Sequence, residues 1–311
     1  DDIFLPVQAL NQLRREALLT LEEKEAAVYQ RTTVEKHLPQ YAGGMKNANE
    51  KTYLAVSVET REAFFVALQK PFVERIYLDS QIFSKENPME ELAELIQLAK
   101  EKKKKVYYSF PSVFRTETRK RYEKQIEALK TLGLDGFLIK SYDEIGFCKE
   151  HKILDENLIL DHNMYTDTNF SKQAFLECGI KRDTAPLELN AGELSHRDNK
   201  NSELILYGYL PLMVSAQCVH KNMEGCDRKR QLSYLKDRYG KEFPVKNNCR
   251  ECYNIIYNSS PLSLLHQKKE ILPMEFLGYR LNFTIEKEKE VARILDLYEQ
   301  MWVEGRKKEE I

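Results

Sequence analysis

From Tyr53 onward, short apolar runs alternate with longer amphipathic stretches, and this alternation limits the folds open to the chain. Such a pattern is typical of parallel strands joined by helices. Eight candidate strands can be counted, at residues 53–58, 75–79, 105–110, 136–140, 158–161, 185–189, 203–209 and 279–283. Helical stretches lie between them, among them residues 60–69, 89–103, 117–132, 171–178 and 287–302. Eight strand–helix units close into a (β/α)₈ barrel of the TIM type, whereas five or six would leave an open sheet.

The open, doubly wound sheet is the alternative fold. It normally carries a glycine-rich phosphate-binding turn after its first strand. Here the first strand ends in Ser57-Val58-Glu59-Thr60, which contains no glycine. The sequence therefore favours an α/β fold with a closed barrel.

The first 50 residues do not follow the barrel pattern. Residues 5–31 have leucines at helical spacing and predict a helix, and residues 40–51 contain a glycine pair and predict a linker. We therefore expect an N-terminal helical extension over 1–50 and the barrel over 51–311. Because the chain begins without Met and runs straight into the amphipathic helix, we expect it to follow upstream domains of a longer protein, which would be its first partners.

Composition excludes several classes of partner. Lys and Arg total 48 and Asp and Glu total 49, so nucleic acid or an anionic surface could be attracted only by a local patch. No apolar run approaches the roughly 18 residues that a membrane span needs, and the N-terminus lacks the pattern of a signal peptide. We expect a cytoplasmic protein with no membrane partner.

The longest departure from the repeat lies between strands seven and eight. An insertion at residues 216–258 contains the spacing Cys218-x7-Cys226-x22-Cys249-x2-Cys252. A Cys-x2-Cys pair can present two thiolates to one metal, and two further cysteines complete a four-cysteine shell. Zinc and an iron–sulfur cluster both suit such a set. Residues 237–240, Asp-Arg-Tyr-Gly, predict a hairpin within the insertion, and Cys148 and Cys178 are expected in the core.

Polar residues at the carboxyl ends of barrel strands point into the catalytic mouth. The strongest candidates for such a position are Asp161 with His162, and Glu188 with Asn190, because each pair follows an apolar run. Helix capping is the alternative role for any one of them. The catalytic candidates are Asp161, His162, Glu188, Asn190, Tyr207 and Arg280. The mouth is further expected to gather Glu59, Asp79, Ser109, Lys140, Asn163, Tyr209, Gln217 and Asn282.

Two basic stretches could meet phosphates near the mouth. One is Arg228-Lys229-Arg230, inside the insertion, and the other comprises Arg115, Arg119, Lys120 and Arg121 after strand three. The patterns of zinc proteases, serine hydrolases and Walker-type nucleotidases are absent from the sequence.

Several stretches resemble a known family. They are 185–190 (APLELN), 206–215 (LYGYLPLMVS), 234–238 (YLKDR) and 256–259 (IYNS), together with Leu5-Pro6-Val7 and Asn11-x-x-Arg14-Arg15-Glu16. They are similar to the C-terminal barrel module of long members of peptidase family U32, the collagenase-like proteins. Tyr207 stands where many relatives have a His, and the cysteine spacing differs from that of the single-barrel members.

The resemblance implies a barrel with a four-iron cluster held by Cys218, Cys226, Cys249 and Cys252. Although the group is named for proteolysis, several relatives act in hydroxylation of transfer RNA, ribosomal RNA or quinone precursors. We therefore expect an iron–sulfur-dependent RNA-modifying enzyme, or the accessory barrel of one, with RNA and a small-molecule co-substrate as partners. The alternatives are a peptidase of unassigned mechanism and a non-catalytic scaffold with a structural zinc.

Overall fold

The N-terminal segment forms one long helix, α1 (Val7–Tyr29), in the computed structural model, which describes residues 4–31, 51–83, 88–153 and 157–305. The chain divides into two compact units, residues 1–40 and 41–311. Every described residue of the first unit is exposed. The predicted helix over 5–31 is confirmed, and the predicted linker over 40–51 lies outside the described residues except for Lys51.

The second unit contains all of the strands in the described ranges. In chain order they are β1 (Tyr53–Val58), β2 (Val73–Asp79), β3 (Lys105–Ser109), β4 (Gly136–Ile139), β5 (Leu158–Leu160), β6 (Arg182–Thr184), β7 (Ser202–Gly208), β8 (Pro211–Ser215), β9 (Leu232–Lys236), β10 (Glu242–Asn248), β11 (Tyr253–Tyr257), β12 (Leu262–Ser263) and β13 (Gly278–Phe283). Strands β1 to β7 pair in parallel in sequence order, and β13 pairs in parallel with both β7 and β1. These pairings close an eight-stranded barrel, which confirms the predicted fold and excludes the open sheet.

The helices of the second unit surround the barrel, apart from α9, which lies in the insertion. They are α2 (Arg61–Leu68), α3 (Met89–Glu101), α4 (Thr116–Glu123), α5 (Ile126–Thr131), α6 (Tyr142–Glu150), α7 (Asn169–Glu177), α8 (Ala191–His196), α9 (Val219–Glu224), α10 (Lys268–Ile271) and α11 (Glu288–Tyr298). Side-chain oxygens of Thr60, Ser141 and Thr168 accept hydrogen bonds from backbone N–H groups at the starts of α2, α6 and α7. Such caps fix where each loop turns into a helix.

Alternation along the strands builds two apolar layers. Leu54, Val56 and Val58 of β1 point outward into the main core beneath the helices, and Tyr53 and Ala55 point inward. The interior also holds charge. Glu203 accepts hydrogen bonds from the hydroxyls of Tyr53, at 2.7 Å, and Tyr77.

Strand β6 is not where the sequence predicts it. The prediction was 185–189, and the strand is Arg182–Thr184. Its central residue, Asp183, is buried and is held by an ion pair with Arg197 and by the hydroxyl of Ser202, at 2.7 Å. Hydrophobic patterning cannot mark a strand built on a buried ion pair, so the pattern indicates the apolar run just after it instead.

The insertion folds into a second sheet, with strand order β8-β11-β10-β9 and antiparallel pairing throughout. We call it the cap sheet. The predicted hairpin is confirmed: Asp237 accepts hydrogen bonds from the backbone of Tyr239 and Lys241 between β9 and β10. Tyr253, Ile255 and Tyr257 of β11 pack against Val113, Tyr209 and Ile285 of the barrel. The cap sheet therefore covers part of the barrel mouth.

Replacing Asp183 tests the ion pair beneath β6. Asp183→Ala should lower the free energy of unfolding by about 3–5 kcal/mol, because Arg197 is left buried without its carboxylate. Burial alone would raise the pKa of Asp183, but Lys172 and Arg197 hold it below its ordinary value, so the stabilisation should fade as the pH drops towards 3. Urea unfolding measures both effects. Glu177→Ala, at an exposed site, is the control, and equal losses in the two variants would contradict the assignment.

Candidate active site

The mouth of the barrel contains a cavity of about 430 Å³. Its floor is formed by side chains at the carboxyl ends of the strands, and its roof by Val214, Ile255 and Tyr257 of the cap sheet. The polar residues lining it are Ser57, Glu59, Asp79, Ser112, Lys140, Asp161, His162, Asn163, Tyr209, Arg280, Asn282 and Thr284. The volume is within the usual range of roughly 300–1,000 Å³ for small-ligand sites.

Three ion pairs neutralise the charge of the cavity. Lys140 Nζ lies 2.6 Å from Asp79 Oδ2, and Arg280 pairs with Asp161. The third pair crosses from the cap sheet to the barrel, with Lys246 Nζ 2.6 Å from Glu59 Oε2. Each cation is therefore already matched by a carboxylate.

Lys246 was missed by the sequence reasoning. It lies on β10, inside the cysteine insertion, and only the folding of the cap sheet brings it over the end of β1. It also donates a hydrogen bond to the carbonyl oxygen of Thr284 at 2.7 Å. In the sequence, Lys246 is a single lysine between apolar and amide residues of a short strand. Such a pattern does not show that its side chain points towards the barrel.

The pairs set the protonation of the groups around them. Burial alone would raise the pKa of Asp161, but the charges of Arg280, His162 and Lys140 outweigh it and hold that pKa well below normal. Burial also lowers the pKa of His162, against the opposing effect of Asp161. At neutral pH the site therefore contains an ionised Asp161 beside a neutral imidazole.

Seven buried polar atoms of residues that line the cavity have no hydrogen-bond partner among the described residues. They are His162 Nδ1, Asn163 Oδ1, Asn282 Oδ1, Thr284 Oγ1, the hydroxyl of Tyr257, and Nε and Nη1 of Arg280. Buried polar groups nearly always have a partner in folded proteins. The mouth is thus suited to a bound polar molecule, or water, that supplies these hydrogen bonds.

Of the six catalytic candidates, Asp161, His162 and Arg280 line this cavity. Glu188 is exposed, but close enough to His162 that its charge acts on the imidazole pKa. Because β6 ends earlier than predicted, Glu188 and Asn190 follow the strand at a distance rather than at its tip. Asn190 caps α8, where Oδ1 accepts a hydrogen bond from the backbone of Glu193 at 3.1 Å.

Tyr207 faces away from the mouth. Its ring lies 5.6 Å, centroid to centroid, from Phe283 and packs in the outer core. The register of β7 against β13 shifts between the pairs Ile205–Arg280 and Tyr207–Leu281. A bulge of this kind reverses the face of the residues that follow. Two further expected mouth residues lie elsewhere: Gln217 is exposed, and Ser109 is buried where it donates to Asp79 at 3.2 Å.

A larger cavity of about 1830 Å³ lies between α4 and the loops of the cap sheet. We call it the basic groove, because its charged lining is dominated by Lys120, Arg121, Lys124, Lys221, Arg228, Lys229, Arg230 and Arg250, against the acidic Glu117 and Glu123. Both basic stretches of the sequence contribute to it. Arg115 and Arg119 do not line it, and Arg119 pairs with Glu123 and Glu150.

Three of the four clustered cysteines, Cys226, Cys249 and Cys252, line the basic groove. Burial, and then the proximity of Cys218 and Cys226, raises the pKa of Cys249. All four are free thiols, so the donor set has the chemistry of a four-thiolate site. The described side chains include no three His, Cys, Asp or Glu already gathered closely enough to hold a metal ion. The thiols would have to draw closer together to coordinate one.

The two remaining cysteines differ from each other. Cys148 is buried, as predicted, but Cys178 is exposed at the end of α7, which corrects the prediction that it belongs to the core.

Hydrogen bonds connect the groove to the segment that follows one of the mouth residues. Arg230 donates to the carbonyl oxygens of Gln81 and Phe83, and Arg250 Nη2 donates to that of Ser80 at 2.6 Å. These three carbonyls directly follow Asp79, which lines the mouth. The cysteine loops are thereby anchored to the segment that begins at one of the mouth carboxylates.

The sequence model of peptidase family U32 matches residues 69–310. The chain belongs to peptidase family U32. A search of the curated proteins found no match to this U32 chain. No helix in the described part of the U32 chain is long and apolar enough to cross a membrane.

The U32 chain is similar to solved structures of other proteins. They include thiamine phosphate pyrophosphorylase from Pyrococcus furiosus, at 9% identity and TM-score 0.41, covering 80% of this chain and 96% of that one. A chitinase from Chromobacterium violaceum matches at 8% identity and TM-score 0.40, covering 79% and 97%. The spore cortex-lytic enzyme SleL of Bacillus cereus matches at 8% and 0.40, covering 80% and 74%. At these TM-scores the similarities do not bear on what the U32 protein does.

The neutral state of His162 predicts a pH dependence of stability. In the unfolded chain its pKa should be about 6.5, so below that pH the unfolded state binds a proton that the folded state resists. Stability should fall as the pH drops from 7.5 to 5.5, by at most about 1.4 kcal/mol per pH unit from this group. His162→Gln should flatten the decline measured by urea unfolding, whereas His196→Gln should not. An unchanged slope in His162→Gln would show that burial does not disfavour the imidazolium.

Proposed function

We propose that this U32 protein is an iron–sulfur-dependent enzyme that modifies RNA by a hydroxylation-type reaction, or the accessory barrel of such an enzyme. One observation carries the proposal: Arg230 and Arg250 of the basic groove, which holds three of the four clustered cysteines, are hydrogen-bonded to the backbone that follows Asp79 of the polar mouth. A site for polyanions, a set of metal ligands and a ligand cavity are thus adjacent.

The case for RNA rests on where the charge is. The whole chain has a formal net charge of −1, so it has no general attraction for nucleic acid. In the groove, eight basic residues face two acidic ones. Lys124, Lys221 and Arg228 are exposed there, and such side chains can contact successive phosphates.

The cluster would be held by Cys218, Cys226, Cys249 and Cys252. When bound, an iron–sulfur centre supplies electron transfer or activation of a ligand. The protein would hold this centre in place through the loops that carry the cysteines. Arg230 and Arg250 fix these loops to the backbone after Asp79. Any reaction at the groove would thus take place beside the mouth.

In the mouth, the paired side chains would position the substrate. His162 is neutral and its Nδ1 has no partner within the described chain, so it can donate a hydrogen bond to a bound molecule or accept a proton from it. Asp161 stays ionised and would stabilise the imidazolium that results. The amide oxygens of Asn163 and Asn282 would accept hydrogen bonds from the substrate or a small-molecule co-substrate.

Peptide hydrolysis, the activity in the family's name, draws no support from this arrangement. No cysteine lines the mouth cavity, and among the described residues neither Ser57 nor Ser112 hydrogen-bonds to His162. A protease of the usual kinds needs such a pair of nucleophile and base, or a metal-activated water.

Metal analysis tests the cofactor. Protein purified without oxygen should be brown and contain about four irons per chain. Replacing Cys249 and Cys252 together with Ser should abolish the iron and the colour, because two ligands are lost. Cys178→Ser, at an exposed site outside the groove, should change neither. A colourless protein with one zinc per chain would instead show that the cysteines bind a structural zinc.

The salt dependence of RNA binding tests the groove. Replacing Lys124, Lys221 and Arg228 with Gln should reduce the slope of log affinity against log salt by about two, at about 0.7 per phosphate contact on a single strand. A control with Gln at Lys102, Lys149 and Lys269, which are exposed and do not line the groove, should keep the slope. Equal slopes in the two triple variants would remove RNA from the proposal.

A further inference from the structure

Strand β9 is one of the two edge strands of the cap sheet, and it carries an aromatic and an aliphatic side chain that are exposed to solvent. Tyr234 is 55% exposed and Leu232 is 41% exposed. The last residue of the strand, Lys236, and the hairpin residues Arg238 and Lys241 are also exposed. An aromatic ring among cations on an exposed surface is the composition of sites that bind unpaired nucleotides.

The strand register fixes which way Tyr234 points. Leu232 is paired with Lys246, and Lys246 with Ile255. Paired residues share a face of a sheet, and Lys246 and Ile255 both face the mouth. Because alternate residues of a strand share a face, Tyr234 lies on the mouth side together with Leu232.

Tyr234 lies within electrostatic range of the cavity wall. Tyr209 lines the mouth cavity, and burial raises its pKa, which Glu290, Glu286 and Tyr234 raise further. The exposed tyrosine is therefore on the mouth side of the cap sheet and not far from the rim of the cavity.

The chain enters β9 from the basic groove. Arg230, which lines the groove, is two residues before the start of β9 and four residues before Tyr234. At no more than about 3.3 Å per residue, the two positions are at most roughly 13 Å apart. Strand β9 and the residues just before it therefore connect the basic groove to the rim of the mouth.

We infer that Tyr234 is a stacking platform for an unpaired base of single-stranded RNA, whose backbone lies in the basic groove. The inference rests on the proposed function and adds the form of RNA that the site takes. The groove's positive charge favours a polyanion over an apolar peptide, and the neighbouring ring favours a strand with exposed base faces over a duplex. Leu232 extends the apolar surface on which the base would lie.

Binding of a fluorescein-labelled 12-nucleotide oligouridylate, followed by fluorescence anisotropy, tests the inference on the chain described here. Loss of one stacked base costs about 1–3 kcal/mol, so Tyr234→Ala should weaken binding by roughly 5- to 150-fold. Tyr234→Phe keeps the ring and should bind as the unmodified protein does. Tyr142→Ala, which removes a 71% exposed tyrosine outside both cavities, is the matched control.

The salt slope separates this inference from the proposed function. Tyr234 is uncharged, so Tyr234→Ala should weaken binding at every salt concentration without changing the slope. If the groove variants lose affinity and Tyr234→Ala does not, the stacking platform is wrong while RNA binding stands. If the groove variants also bind normally, the proposed function itself fails. Thermal unfolding of each variant confirms that it is folded.

A spectroscopic readout completes the test. A strand with one 2-aminopurine should lose fluorescence when that base stacks on Tyr234, and the quenching should persist in Tyr234→Phe and disappear in Tyr234→Ala. A duplex of the same sequence should compete poorly, because its base faces are already stacked. Effective competition by the duplex, or quenching that survives Tyr234→Ala, would overturn the inference.

Discussion

The buried guanidinium of Arg280 is the interaction on which the site depends. It is fully enclosed, and it joins Asp161 at the end of β5 to Glu203 inside the barrel, 3.4 Å from its Nη1. An unpaired charge at this depth would cost several kcal/mol, so the two carboxylates and the arginine have to be retained together. Because Arg280 keeps Asp161 ionised, the imidazole beside it sits next to a fixed negative charge. The protonation of the mouth is thus set from within the barrel.

The cap sheet gives the mouth its enclosed form. A (β/α)₈ barrel with short loops would leave the strand ends open to water, and each charged side chain there would be well solvated. Here Lys246 reaches down from β10 to Glu59, and Tyr257 covers the site from β11. Excluding water strengthens every remaining electrostatic interaction. The cysteine insertion is therefore part of the candidate active site as well as the carrier of the thiols.

The fold was largely predictable because seven of the eight strands are apolar runs. The position of Asp161, His162 and Arg280 at the mouth was predictable because they end or lie within such strands. The failures share physical causes. Strand β6 is built on the buried pair of Asp183 and Arg197, which an apolar pattern cannot show, and the misplaced strand brought Glu188 and Asn190 too close to the mouth. Tyr207 was turned outward by a bulge, and Lys246 was recruited by a sheet whose pairing depends on residues far apart in sequence. Register shifts and long-range strand pairing cannot be predicted from the local composition of the sequence.

The charged side chains are paired in the mouth and exposed in the groove, and this difference suggests that the two cavities have different roles in binding. In the mouth, Lys140, Arg280 and Lys246 are each paired with a carboxylate, so they contribute little to attraction at a distance. In the groove, Lys124, Lys221 and Arg228 are exposed, and a charged ligand would feel them from several ångströms away. Affinity for a polyanion would then arise in the groove and vary with salt, whereas selection at the mouth would depend on hydrogen bonds to His162, Asn163 and Asn282. Anchoring Arg230 and Arg250 to the backbone after Asp79 keeps these two functions at a fixed distance, which a reaction between a bound strand and a nearby metal centre would require.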